Sequence, residues 1–399
     1  MADFGPLSGF RVLELAHIMA GPVCGRLLAT LGADVIKIEG PEGDPARNYR
    51  PPELAGESAA FMALNVGKRS LSLDLKHPAG RDVLLRLVEN ADVLIENFRT
   101  GTMARLGLGY ERLSEINPRL IVCEISGFGR TGPLAERGGF DLIAQGLSGV
   151  MSLTGEEGAA PMKCGVPVTD ITAAVLAAVG VLAASHERQT SARGQRVDTS
   201  LFEAGLFQTL WASGMSLATG EAPAAQGTAH PLTAPYQTFA TADGWINLGA
   251  ASQTTWRRVP EVVELPELLT DPRFTVNAGR MAHREELVAL LRAKLRTRPT
   301  AHWIKAFDSA GVPAGPVLDV VQAHQHPQAL ARDMVVETSH AAAGTVLTLG
   351  VPIKFSRTPG AVGRAAPLLG QHTREVLAES GFNAGDIDRL LSERAILQA

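Results

Sequence analysis

The chain is poor in cysteine, and each thing it lacks narrows the field. Its three cysteines, Cys24, Cys123 and Cys164, are odd in number, far apart and without CxxC spacing. That argues against a disulfide framework and fits buried thiols in a reducing compartment. Charged residues make up only 20% against 45% hydrophobic, with a formal net charge of −4. Such a balance gives nucleic acid or an anionic membrane no global attraction, although a local basic patch can still hold a phosphorylated ligand. The apolar content argues against disorder, and 399 residues can bury a core large enough for two domains. No basic segment followed by an apolar stretch occurs at Met1 to Pro6, and the apolar run Ile171 to Ala184 is short for a bilayer span. The expectation is a soluble cytoplasmic protein with no nucleic-acid and no membrane partner.

What is present alternates strand and helix. Arg11 to Ala16 reads as a strand, Val23 to Leu31 as a helix ending at Gly32, and Asp34 to Glu39 as a second strand, together a βαβ unit. Further strand patterns at Ser70 to Leu75, Asp92 to Glu96 and Leu120 to Ser126 are separated by helical patterns such as Ala79 to Asn90. This predicts an α/β fold whose large domain is a Rossmann-like, mostly parallel sheet covered on both faces. Ligands of such sheets sit at the carboxyl ends of the strands, which makes His17, Glu39, Asn97 and Gly127 neighbours in principle. A helix at Ser200 to Thr219 leads into Gly220 to Pro235, rich in Ala, Gly and Pro as a linker is. Tyr236 to Leu248 then alternates like a hairpin around Asp243-Gly244, with helical patterns at Arg284 to Arg296 and Ala301 to Ala310. The expected division is residues 1–200 for the first part of the large domain and 201–235 for a linker helix and loop. Residues 236–325 form a small α+β domain, and 326–399 return to the large one. No internal repeat is present.

The first βα turn argues against a dinucleotide site. Ala16 to Pro22 lacks GxGxxG, and Pro22 removes a backbone donor a phosphate would use. No P-loop, HExxH or GxSxG occurs, and His, Asp and Glu do not gather at ligand spacings, so no metal is expected. One acid stands out. Asp170 closes Cys164-Gly165-Val166-Pro167-Val168-Thr169-Asp170 and opens an Ala-rich helical run. Unpaired N–H groups and the positive helix end favour an anion there, so the carboxylate is either a helix cap or an aimed, partly shielded nucleophile that stays ionised.

Several segments together resemble a known family. They are His17 to Pro22, Leu31 to Glu39, Asn65 to Ser70, Asp92 to Arg99, Gly127-Phe128-Gly129, Gly139-Phe140-Asp141, Gly165 to Asp170 and Leu369 to Thr373. Their order resembles class III CoA-transferases of the formyl-CoA and carnitine-CoA transferase type, from about Leu7 to Leu377. The resemblance implies that Asp170 attacks an acyl-CoA to give a mixed anhydride and then an aspartyl-CoA thioester. It implies coenzyme A and acyl-CoA as substrates, no tightly bound cofactor, and a carboxylic acid as acceptor, small dicarboxylates being plausible. By similarity, His17 takes the place of a glutamine that stabilises developing oxyanions. Lys37, Leu73, Lys76, Asn97, Phe98, Arg105 and Arg137 would line the CoA channel, and Arg47 is a candidate partner for a distal carboxylate. The resemblance also implies an interlocked homodimer and a closing loop at Gly249 to Gln253. Two alternatives stand beside it. A 2-methylacyl-CoA racemase of the same fold is disfavoured because Phe140 holds the place of its proton-shuttling histidine. A non-catalytic CoA-binding protein would need Asp170 only as a cap.

Overall fold

The computed structural model describes residues 5–399. In chain order the main sheet contains β1 (Arg11–Glu14), β2 (Asp34–Glu39), β3 (Arg69–Leu73), β4 (Val93–Glu96), β5 (Ile121–Ser126), β6 (Arg196–Ser200) and β7 (Ile396–Leu397). Across the sheet they lie in the order β7-β3-β2-β1-β4-β5-β6. β7 pairs antiparallel with β3, and every other neighbouring pair is parallel. Without β7 the order is 3-2-1-4-5-6, that of dinucleotide-binding folds, and it reverses direction between β1 and β4, where a crevice opens at the carboxyl ends.

Both faces of the sheet are covered, so its inner strands are buried almost throughout, polar residues such as Lys37, Glu39, Arg69 and Ser72 included. Successive side chains alternate between two cores. Leu13, Ile36, Leu71, Leu94 and Val122 meet Val83, Leu84 and Leu87 of α2 (Pro78–Val88) on one face. Val12, Val35, Val93, Ile95 and Cys123 meet α1 (Ala20–Thr30) and α4 (Val168–Ser191) on the other. Between them in sequence lies α3 (Asp141–Leu147). α4 packs through small residues, Ala173, Ala174, Ala177, Ala178, Val181 and Ala184, which let it approach α1 closely. At 24 residues it is longer than the apolar run read from the sequence, and by length and composition alone it could cross a membrane.

The chain packs into two compact units. The first runs through Val150 and adds Lys163–Thr219 and Pro327–Ala399; the second comprises Met151–Met162 and Gly220–His326. The expected helix after residue 200 is two helices, α5 (Leu201–Gln208) and α6 (Leu210–Thr219), and both belong to the first unit rather than to a linker. The second unit has its own core of Phe239, Ile246, Trp256, Phe274, Leu291, Trp303 and Phe307. Its antiparallel sheet joins strands Tyr236–Ala240, Trp245–Gly249 and Ala314–Pro316. Within the segment expected as a closing loop, Ser252 caps helix Gln253–Val262 in a reciprocal box with Thr255.

Candidate active site

A cavity of about 250 Å³ opens at the carboxyl ends of β1, β4 and β5, and Asp170, His17, Asn97, Phe98 and Arg137 all line it. A larger cavity of about 980 Å³ lies at the amino ends of the strands among Arg11, Asp34 and Arg69. There Asp34 and Glu379 take up Arg11 and Arg69, with Glu375 also on Arg69. The smaller cavity holds the unpaired chemistry.

Glycine shapes its wall. A Cβ on Gly139 would stand 2.6 Å from the Gly127 Cα, and one on Gly127 would stand 2.7 Å from the Gly139 Cα. Only two glycines let the end of β5 and the loop before α3 touch backbone to backbone. That contact brings Arg137 and Phe140 to the cavity.

Asp170 is the third residue of α4, not the residue before it, and it does not cap the helix. Asp141 caps it instead. Its Oδ1 accepts the Thr169 N–H at 3.0 Å and the Thr169 hydroxyl at 2.7 Å. Gln145 donates to the other Asp141 oxygen at 2.7 Å and accepts the Cys164 N–H at 2.8 Å, so one network ties α3 to the segment leading into Asp170. Among the described residues no hydrogen bond or ion pair engages the Asp170 carboxylate. The expectation that the helix start holds this group ionised is corrected: burial, with the Asp141 charge second, pushes it up to about 7. The helix end does not offset this, because the Thr169 N–H is taken by Asp141 and the Val168 N–H by the Val166 carbonyl.

His17 follows β1, and the Asn97 side chain bridges its backbone. The Asn97 amide donates to the His17 carbonyl and its oxygen accepts the His17 N–H, both at 2.8 Å. The ring meets Phe98 edge-on, with centroids 5.2 Å apart. Burial lowers the imidazole pKa, and the nearby carboxylates of Asp44, Glu39 and Glu14 only partly oppose this. The ring is therefore neutral at pH 7 and can donate one N–H. Arg137 lies 5.8 Å from the Phe128 ring centre. Arg99, absent from the expected contacts, also lines the cavity. Neither guanidinium is ion-paired among the described residues.

The other expected CoA contacts lie elsewhere. Lys37 is fully buried, 3.2 Å from Glu14 and 2.8 Å from Asp44. Burial alone would lower its pKa, but the carboxylates of Glu14, Asp44 and Glu39 more than reverse this and raise it. Leu73 is core, packed within the sheet layer. Lys76 is exposed on the turn before α2, where its backbone N–H donates to Asp74. Arg105 is exposed on helix Thr102–Arg105 and donates to Thr102. Arg47 grips Glu39 through two hydrogen bonds at 2.7 and 2.8 Å and stacks on Phe61, so it has no fork left for a substrate. Glu39, thus occupied, is not a neighbour of the cavity. Arg99 stands out from sequence only as a cation near a strand end, in the Asp92 to Arg99 motif, and Gln145 not at all; Asp141 stands in the Gly139-Phe140-Asp141 motif, but no local pattern reveals that it reaches Thr169.

A desolvated carboxyl, a neutral imidazole and two free guanidinium groups at the switch point of a 3-2-1-4-5-6 sheet suit acyl transfer from a phosphorylated thioester. The chain belongs to CoA-transferase family III, whose model matches residues 7–373. It is 40% identical to the succinate–glutarate CoA-transferase of Agrobacterium fabrum, over 94% of this chain and 95% of that one. It is 39% identical to the succinyl-CoA:mesaconate CoA-transferase of Haloarcula hispanica, over 96% of this chain and 98% of that one. Among solved structures it is similar to a CaiB/BaiF family protein from Brucella suis, with a TM-score of 0.87 and 38% identity over 94% of this chain and all of that one.

Proposed function

We propose that this CoA-transferase moves CoA from an acyl-CoA donor to a small dicarboxylic acid, with Asp170 as the covalent carrier. One observation carries the reading: a half-buried carboxyl without a hydrogen-bond partner lines the cavity beside a neutral histidine. The ionised Asp170 attacks the acyl carbonyl, and the C–S bond breaks to leave a mixed anhydride and CoA thiolate. The thiolate attacks the aspartyl carbonyl and expels the donor's acid, leaving an aspartyl-CoA thioester. The acceptor carboxylate displaces the thiolate, which then attacks the acceptor's acyl carbon and frees Asp170. No net proton is consumed, so the site needs no dedicated general base. Each step builds charge on a carbonyl oxygen, and the His17 N–H is the donor offered to it. Keeping the intermediates from water preserves the thioester's energy. The names of the relatives support a dicarboxylate acceptor. Arg99 and Arg137 supply charge-assisted donors for CoA phosphates or for a second carboxylate.

The same reading includes an interlocked homodimer in the cytoplasm. The pairing of two copies is supported by an exposed apolar stripe on α4, Ile171, Val175, Val179 and Leu182, and by exposed Phe207, Leu210 and Trp211 on α5 and α6. A stripe at helical spacing covered by a second copy accounts for side chains that water otherwise meets. The test is transfer from succinyl-CoA to a panel of dicarboxylic acids, with mass analysis of the Asp170 peptide during turnover. Transfer without a CoA adduct on that peptide, or wild-type transfer by Asp170→Ala, overturns the mechanism.

A further inference from the structure

The turn that carries His17 is fastened on both sides by one buried ion pair. Lys37 donates to the Ala16 carbonyl at 2.9 Å, just before His17. The Asp44 carboxylate accepts the Ile18 N–H, just after it, at 3.1 and 3.2 Å from its two oxygens. Lys37 and Asp44 meet at 2.8 Å with neither side chain exposed to solvent. Ile18 itself has φ 63°. A β-branched residue rarely adopts this left-handed conformation and keeps it only where its surroundings impose it. Asp44 is not free to wander: the Ala46 N–H donates to it at 2.9 Å, and its own N–H donates to Glu39 at 3.0 Å. Burial raises its pKa, but the Lys37 charge and hydrogen bond, with the Ala46 and Ile18 amides, bring it below the usual range, so it remains an acceptor at working pH.

We propose that Asp44 is a positioning residue for the transfer reaction: paired with Lys37, it holds Ile18 in the left-handed conformation and so aims the His17 ring into the cavity that Asp170 lines. This rests on the oxyanion role given to His17 under the proposed function. Asp44 does not line the cavity, so its loss misplaces the donor without removing a substrate contact. Misplacement on the order of 1 Å costs roughly 100-fold in rate.

The experiment measures kcat and KM with succinyl-CoA and glutarate, alongside the NMR signals of the His17 ring, which the Phe98 edge contact shifts. Asp44→Ala is expected to lower kcat roughly 100-fold and leave the KM for succinyl-CoA within about twofold. Asp44→Asn, whose amide oxygen still accepts the Ile18 N–H, retains more activity than Asp44→Ala. Adding Ile18→Gly to Asp44→Ala regains roughly tenfold, because glycine enters the left-handed region without side-chain strain. A folded Asp44→Ala with wild-type kcat, a loss confined to KM, or no relief from glycine overturns the proposal. If Asp44→Ala does not fold, Ile18→Pro carries the test: it leaves the buried charges in place but forces φ negative, and wild-type kcat in that variant overturns the proposal. If the wild type itself transfers nothing, the functional reading fails, while an unmoved His17 ring signal in Asp44→Ala or Ile18→Pro still overturns the positioning role.

Discussion

Asp141 takes the Thr169 N–H at 3.0 Å and thereby sets its negative charge beside Asp170, the next residue along. One acid caps the helix, and the other is left unbonded, with its pKa raised. The first is spent on structure and the second is left available for chemistry.

The first prediction is a pH dependence. Asp170 must be ionised to attack, so kcat/KM for transfer should fall as pH drops through about 7. In Asp141→Asn the amide oxygen still accepts the Thr169 N–H while the charge is gone, and the acid limb should move to lower pH. Burial, the larger cause, remains, so the limb should stay above the ordinary carboxyl range. A limb that does not move in this variant removes Asp141 from the account.

Stability should respond in the opposite sense. Because the folded Asp170 pKa is raised, the folded chain binds more protons than the unfolded chain between pH about 4 and about 7, and the stability contributed by the protonated group is lost as pH rises through that window. Asp170→Asn should therefore be more stable than wild type at pH 8, by roughly 2 kcal/mol after discounting for partial exposure, with the gain absent below pH about 4. Denaturant unfolding at pH 4 and pH 8 measures this; an equal gain at both would mean that the amide repacks the site.

Lys37 should matter to the fold and not to the nucleotide. Replacing it with methionine leaves Glu14 and Asp44 buried beside an apolar chain, a loss of roughly 3–5 kcal/mol in chemical unfolding. Calorimetric titration of any folded fraction should give a CoA affinity within about twofold of wild type. A tenfold weaker affinity, about 1.4 kcal/mol, would instead place Lys37 at the ligand.

Arg137 and Arg105 should behave differently. Arg137→Ala removes an unpaired guanidinium from the cavity and should raise the KM for acyl-CoA about tenfold, more at low salt than at high. Arg105→Ala, on an exposed helix outside the cavity, should leave it unchanged. Equal effects would show that the nucleotide runs along the outer surface.

Gly139→Ala tests the glycine contact. Its Cβ would press on the Gly127 backbone, which has no flexible end to yield. A loss of roughly 1–3 kcal/mol in stability is expected, together with reduced transfer as the loop carrying Arg137 shifts. A variant with unchanged melting and turnover would mean that the two segments separate freely.

The strands of the sheet were legible because each carries clustered valine, isoleucine or leucine between helical patterns, and β1, β2, β4 and β5 lie within two residues of their expected ends. β6 was missed because Arg196-Val197-Asp198-Thr199-Ser200 is polar at an edge, and β7 because two residues make no pattern. In the site, Asp170 was legible from its place at a helix start. Its pKa was not, since that depends first on how the fold shields it from water and second on Asp141, 29 residues earlier and folded back through Gln145. The cations were least legible: Arg47 and Arg137 look alike in sequence, yet one is clamped by Glu39 and the other faces the cavity. Composition cannot tell a paired arginine from an idle one.

The sheet is completed late. Ser70 of β3 gives its N–H to His372, 302 residues further on, and β7 pairs with the outer side of the same strand. During synthesis β3 therefore leaves the ribosome with an unprotected edge and waits for a distant stretch of polypeptide to cover it. Nascent chains of this protein should be clients for edge-shielding chaperones until that stretch arrives, and stalling translation before it should yield aggregates rather than a smaller folded enzyme.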